Sequence, residues 1–167
     1  MDDIRELLTE QIPRLRRYAH ALTGNRVRAD DLVQDTLERS WSRRHLWRRD
    51  SDLRAWLFTI MHNVFVNQLR KNSTVPGHVP FDEAIDPPSG VVSDRTLELR
   101  DLASALERLP AEYREVLLLV GLEQMQYEEV AEVLGVPLGT VMSRLSRGRD
   151  RLRALMSGQP PVLRRVK

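Results

Sequence analysis

The sequence contains no cysteine, which excludes a disulfide framework, a thiolate zinc site, an iron–sulfur cluster and a cysteine nucleophile together. Lysine is nearly absent too: of 26 basic residues only Lys71 and Lys167 are not arginine. Aromatic residues are 5% of the 167 positions, few for a β-rich core. No run approaches the roughly 20 apolar residues that a membrane-spanning helix needs. The first ten residues, MDDIRELLTE, put acids where a signal peptide has a basic start followed by an apolar stretch, so a cytoplasmic location is expected. What is present is 41% hydrophobic and 30% charged, with a net charge of +2. That balance can bury one ordinary core or two small ones and is too apolar for a disordered chain. Apolar positions recur at helical rather than alternating spacing, so the expected fold class is all-α.

Four of the nine prolines, Pro76, Pro80, Pro87 and Pro88, fall with Gly77 and Gly90 between Ser73 and Ser93. Proline fixes φ and lacks an N–H donor, so this stretch predicts a semi-extended linker. Charge agrees: residues 1–73 carry 14 basic and 10 acidic side chains, residues 74–98 one and five, and residues 99–167 11 and nine. The expected organisation is a helical domain over 1–73, an acidic proline-rich linker over 74–93, a second helical domain over 94–157 and a short tail over 158–167.

In the first block a helix is expected over Ala29 to Trp41, opened by Asp30 and Asp31, with Val33, Leu37 and Trp41 as a core stripe. Its opposite face carries Asp31, Asp35 and Glu38. A longer helix follows, with Ser51 as the expected cap and Leu53, Trp56, Leu57, Ile60, Met61, Val64, Phe65 and Leu69 on its apolar stripe. Off that stripe lie Arg54, His62, Asn63, Val66, Asn67 and Arg70, with Lys71 following. Asparagine can read base edges and arginine can hold phosphate, but the same residues also serve as an ordinary solvated face.

The second block predicts a helix from Asp94 to about Leu109 and another started by Pro110. Then comes a helix-turn-helix pattern: Val130, Ala131 and Leu134 on a short helix, a turn at Gly135, Val136 and Pro137, and a longer helix. Gly135 is expected to supply the turn conformation and Ala131 a close helix crossing. On the last helix Val141, Leu145, Leu152 and Leu155 form the inner face, while Ser143, Arg144, Arg147 and Arg151 are expected to point outward. Residues 142–167 hold eight basic side chains and one acid, whereas residues 99–141 hold three and eight. A cationic face at the end of a helix-turn-helix suits phosphate neutralisation and guanine reading in a major groove.

A catalytic constellation is not expected. His20, His45, His62 and His78 lack metal-ligand spacing, and there is neither a nucleophile elbow nor a Gly-rich phosphate loop. The acids at 30, 31, 35 and 38 read as a solvated or protein-binding face rather than a metal site. No cofactor and no small-molecule substrate are expected.

The order DDLVQDTLERSW, LRAWLFTIMHNVFVNQLRK, a proline-rich linker, then LPAEYREVLLLVGLEQMQYEEVAEVLGVPLGTVMSRLSRGRDRLR resembles a bacterial extracytoplasmic-function (ECF) sigma factor over about residues 10–155. The resemblance implies a region 2 that binds the clamp helices of core RNA polymerase and melts the minus-ten element, and a region 4 that binds the polymerase flap and reads the minus-thirty-five element. It implies polymerase contacts from Asp31, Leu32, Gln34, Asp35 and Glu38. It implies minus-ten DNA contacts from Arg54, Asn63, Val66, Asn67, Arg70 and Lys71. Minus-thirty-five contacts would come from Thr140, Ser143, Arg144, Arg147 and Arg151. Met142 and Ser146 depart from the family pattern, in which Arg and an aromatic residue are frequent, so the exact promoter sequence does not transfer. An anti-sigma factor, often membrane-anchored in this family, is a further implied partner. A dimeric helix-turn-helix regulator and a sigma-like decoy that binds only an anti-sigma factor are the competing readings. The first leaves residues 10–72 unexplained, and Arg144 and Arg147 speak against the second.

Overall fold

A computed structural model of the chain describes residues 2–74 and 94–158, so the expected linker beyond Thr74 and the tail beyond Gly158 lie outside the described residues. Every regular element among the described residues is helical: α1 (Asp2–Thr23), α2 (Arg26–Ser42), a 3₁₀ turn (Arg44–Leu46), α3 (Leu53–Thr74), α4 (Asp94–Glu107), α5 (Ala111–Gly121), α6 (Tyr127–Leu134) and α7 (Leu138–Ser157). They divide into two compact units, the first holding α1, α2 and α3 and the second holding α4, α5, α7 and the start of α6. No helix among the described residues is long and apolar enough to cross a membrane.

In the first unit α1 buries Leu8, Leu15, Tyr18, Ala19 and Leu22, a helical spacing that holds the helix together across Pro13 in its interior. The next helix starts a turn earlier than its acids suggest. Asn25 is the cap, its side chain accepting the N–H of Arg28 at 3.0 Å, so Asp30 and Asp31 lie inside α2. The buried stripe is Ala29, Leu32, Val33, Thr36 and Ser40. Both hydroxyls are satisfied, Thr36 donating to the Leu32 carbonyl at 2.7 Å and Ser40 to that of Leu37 at 2.8 Å.

Trp41, expected in the core, is 43% exposed, and the Arg44 guanidinium sits 4.4 Å from its ring centroid. A row spaced i, i+4, i+8 turns about 40° per step around a helix of 3.6 residues per turn. By its third member it has left the face on which Val33 is buried. Leu69, at the end of the same kind of row on α3, is 42% exposed for that reason.

The cap of α3 is Asp52 rather than Ser51. The Asp52 carboxylate accepts the N–H of Arg54 at 2.9 Å, while the Ser51 hydroxyl donates to the Arg48 carbonyl at 2.6 Å. Along α3, Leu57, Phe58, Ile60, Met61, Val64 and Phe65 are buried. Phe58 meets Tyr18 of α1 edge to face, with ring centroids 4.9 Å apart.

In the second unit Arg114 closes the end of α4. Its guanidinium donates to the carbonyls of Leu106 at 2.7 Å, Glu107 at 2.9 Å and Leu109 at 2.8 Å, groups that a helix end leaves without intrahelical partners. Burial pushes its pKa below the ordinary arginine value, and Glu107 and Glu115 oppose that shift. Helix α7 packs on α5 at Gly148, where a β-carbon would lie 3.3 Å from both Leu117 Cδ1 and Tyr113 Cβ. This close approach joins α7 to α5 and is separate from the crossing expected at Ala131, which is half-buried.

The turn of the helix-turn-helix is as the sequence suggests. Gly135 has φ +64 and donates to the Glu132 carbonyl at 3.3 Å, and Val136 donates to that of Ala131 at 3.1 Å. This paired arrangement ends a helix on a left-handed residue. The Pro137 carbonyl then accepts the N–H groups of Thr140 at 3.0 Å and Val141 at 3.2 Å, which starts α7.

Candidate protein and nucleic-acid interfaces

On α2 the residues opposite the buried stripe form one continuous face. Asp31, Gln34, Asp35 and Glu38 are all exposed, and their spacing of three, four and seven aligns them on the helix surface. Gln34 and Glu38 are 3.4 Å apart through an amide-to-carboxylate bond, and Asp35 accepts a bond of 3.0 Å from Gln68 of α3. Val27, 59% exposed one turn before Asp31, adds an apolar end to this acidic face. Leu32 does not belong to it. At 0% exposure it is part of the core, and its role is to hold the helix that presents its neighbours.

On α3 the spacing of zero, three, four and seven brings Asn63, Val66, Asn67 and Arg70 onto one side, with Lys71 at its margin. Asn63, Arg70 and Lys71 are exposed, while Val66 and Asn67 are half-buried. Arg54 is not brought to them. Nine residues along an α-helix carry it half a turn away from Asn63 and about 13 Å down the axis, and its backbone N–H is held in the Asp52 cap.

Sequence reasoning missed the turn between α2 and α3. Arg43, Arg44, His45, Arg48 and Arg49 are all exposed there, with Trp41 stacked under Arg44. Two of the arginines pair with acids at the surface, Arg48 with Asp50 and Arg49 with Asp3, each at 3.3 Å. The signal was available as arginine interleaved with tryptophan over 41–49, a composition suited to single-stranded nucleic acid, where bases stack on aromatic rings and cations follow phosphates.

On α7 the core side is Val141, Leu145 and Gly148. The exposed side is Leu138, Gly139, Met142, Ser143, Ser146 and Arg147, and Thr140 is half-buried in the first turn. Of the arginines expected to point outward, one is engaged within the protein. Arg144 has only 28% side-chain exposure and lies 3.7 Å from the Glu112 carboxylate. Arg151 lies with its guanidinium 4.9 Å from the Tyr113 ring centroid. Arg151 is nonetheless exposed, as are Arg147, Arg149 and Arg153. Among the described residues no cluster of acids and histidines could hold a metal ion.

Two family models match this chain, Sigma2 domain of PhyR over residues 8–62 and Sigma-70, region 4, over residues 99–152. The ECF RNA polymerase sigma factor EcfG of Rhodopseudomonas palustris is 37% identical over 155 residues, covering 93% of this chain and 86% of that protein. The chain belongs to the ECF sigma factors. The sigma factor RpoE of Bartonella quintana, in complex with the anti-sigma factor NepR, has 36% identity and a TM-score of 0.80, covering 94% of this chain and 98% of that one. The anti-anti-sigma factor PhyR of Bartonella quintana, also complexed with NepR, has 18% identity and a TM-score of 0.59, covering 87% of this chain and 48% of that one, a likeness of fold alone. The first match falls on α1, α2 and the first half of α3, which belong to region 2, and the second on α4 to α7, the region 4 helices that include the helix-turn-helix. ECF sigma factors are transcription initiation factors, and the helices of both units are those of that family.

Proposed function

We propose that this sigma factor acts as a promoter-specificity subunit with no catalysis of its own, working in the cytoplasm with region 2 and region 4 on separate targets. Asp31, Gln34, Asp35 and Glu38 dock on core RNA polymerase. Asn63, Val66, Asn67, Arg70 and Lys71, joined by the arginine-rich turn 43–49, engage the minus-ten strand. Ser143 and Arg147 read the minus-thirty-five duplex, with Thr140 at the start of α7. Arg144 can reach phosphate only by leaving Glu112, whereas the exposed Arg151 can offer its N–H edge to phosphate while it lies over Tyr113. The domain limits of 1–73 and 94–157 belong to the same proposal.

The observation that carries it is one chain bearing both an exposed acidic face on α2 and an exposed Ser143–Arg147 face on the second helix of a helix-turn-helix. Opposite charge on the two faces suits opposite partners, a protein and a polyanion. An anti-sigma factor is a further proposed partner, since RpoE, at 36% identity, is complexed with one.

A second reading has a specific observation behind it: the model matched by region 2 is named for PhyR, itself an anti-anti-sigma factor. In that reading the chain sequesters an anti-sigma factor and transcribes nothing. The exposed Arg147 and the arginine-rich turn favour the first reading, because a protein that only captures another protein has no use for a phosphate-binding surface. Run-off transcription with purified core polymerase separates the two. Promoter-dependent transcripts support the sigma function, and their absence, with an anti-sigma factor still bound, supports sequestration.

A further inference from the structure

The exposed side of α7 begins with two large apolar residues in the turn where a recognition helix approaches bases. Leu138 is 40% exposed and Met142 is 52% exposed. They are one helical turn apart, about 6 Å along the axis, and so share a face. Gly139 beside them has no side chain, and a β-carbon placed there would meet nothing within 4 Å. The first turn carries no acid, and beyond it stand Arg147, Arg149, Arg151 and Arg153, all exposed, against the single acid Asp150, which pairs with Arg153 at 3.6 Å. The surround is therefore that of a polyanion-binding face, which argues for a nucleic-acid occupant rather than an apolar protein groove.

Neither side chain can donate a hydrogen bond, so guanine cannot be read at these two positions by the bidentate contact that arginine makes. One base-edge group in the major groove does match them, the C5 methyl of thymine. We propose that Leu138 and Met142 form an apolar pair that selects thymine methyl groups in the minus-thirty-five duplex, on the flank of the exposed side away from Arg147, with Ser143 between. The inference rests on the reading of α7 as the DNA-reading helix and adds the base it selects. Closing the pair on methyl groups removes apolar surface from water on both sides, which is the source of the discrimination.

The test uses holoenzyme reconstituted from the full chain and core polymerase. It first selects elements from a duplex library randomised across the minus-thirty-five region. Each thymine of the selected element is then replaced by deoxyuridine, which removes the methyl and nothing else. The expected result is a thymine preference whose exchange for uracil weakens promoter binding about fourfold per methyl. That sensitivity should vanish in a Leu138→Ala, Met142→Ala chain and diminish in Met142→Gln, which keeps side-chain length should the double variant melt early. A selected element without preferred thymines, or uracil sensitivity that is the same in all three chains, overturns the proposal. Arg147→Ala separates the two levels. If it alters selection while uracil exchange is independent of residues 138 and 142, only the apolar pair is wrong. If it too leaves selection unchanged, the DNA-reading assignment of α7 has failed and the pair falls with it.

Discussion

Arg144 Nη2 lies 3.7 Å from a carboxylate oxygen of Glu112, which ties the recognition helix to the first turn of α5. Arg147, three residues on, sits on the exposed side of the same helix. Two arginines that look equivalent in the sequence therefore have different work, one within the fold and one at its surface.

Their truncations should differ accordingly. A partly exposed ion pair contributes about 0 to 1 kcal/mol, so Arg144→Ala should shift stability by no more than that and change base preference little. Arg147→Ala should leave stability unchanged and cost about 1 to 3 kcal/mol of discrimination if the contact is bidentate to guanine. Thermal melting and holoenzyme binding to a minus-thirty-five library measure both quantities. Equal loss of discrimination in the two variants contradicts the division.

Asp35→Arg should leave region 2 folded. The side chain is exposed, and the substitution removes one surface hydrogen bond from Gln68, a change of about 0.5 to 1.5 kcal/mol at most. Affinity for core polymerase should fall, because the acidic face loses a charge at its centre and gains the opposite one. Titration of core enzyme with labelled chain reads this directly, and unchanged affinity would remove α2 from the polymerase interface.

Arg114→Met keeps the apolar stem and deletes three hydrogen bonds to the carbonyls that end α4. Leaving partly buried carbonyls unmade costs about 1 to 3 kcal/mol in total. Region 4 should melt several degrees lower, with the melting of region 2 unaffected. Loss of both transitions together would show that the effect does not arise at the end of α4.

Gly148→Val should destabilise region 4 by about 1 to 3 kcal/mol through overpacking against Tyr113 and Leu117. Gly148→Ala is the milder case, since alanine's helix propensity offsets part of a 3.3 Å approach. Denaturant midpoints in the order wild type, Ala, Val, from highest to lowest or with Ala level with wild type, fit this packing. A stabilised Val variant does not.

Much of the architecture was legible in local chemistry. The helical spacing on α3, the Gly135 turn and the polarised charge of the second block each act over a few residues, and a helix end that uses φ +64, as at Gly135, favours glycine. The acidic face of α2 was readable for the same reason: residues at three, four and seven align on any helix. The arginine-rich turn at 43–49 belongs to no periodic element, so helical spacing does not mark it.

Local pattern thus set the helices, the turn between α6 and α7, and the charge each face carries. Tertiary structure decided which edge of each stripe is covered. Trp41 and Leu69 leave the core although their rows begin inside it, and Leu32 lies in it although Asp31 beside it is exposed. Tertiary structure also decided which arginines meet a partner within the protein. A guanidinium on a long side chain can swing to whatever partner lies within reach, and only the packing of α7 on α5 brings Glu112 to Arg144 and Tyr113 to Arg151 while leaving Arg147 on the exposed side.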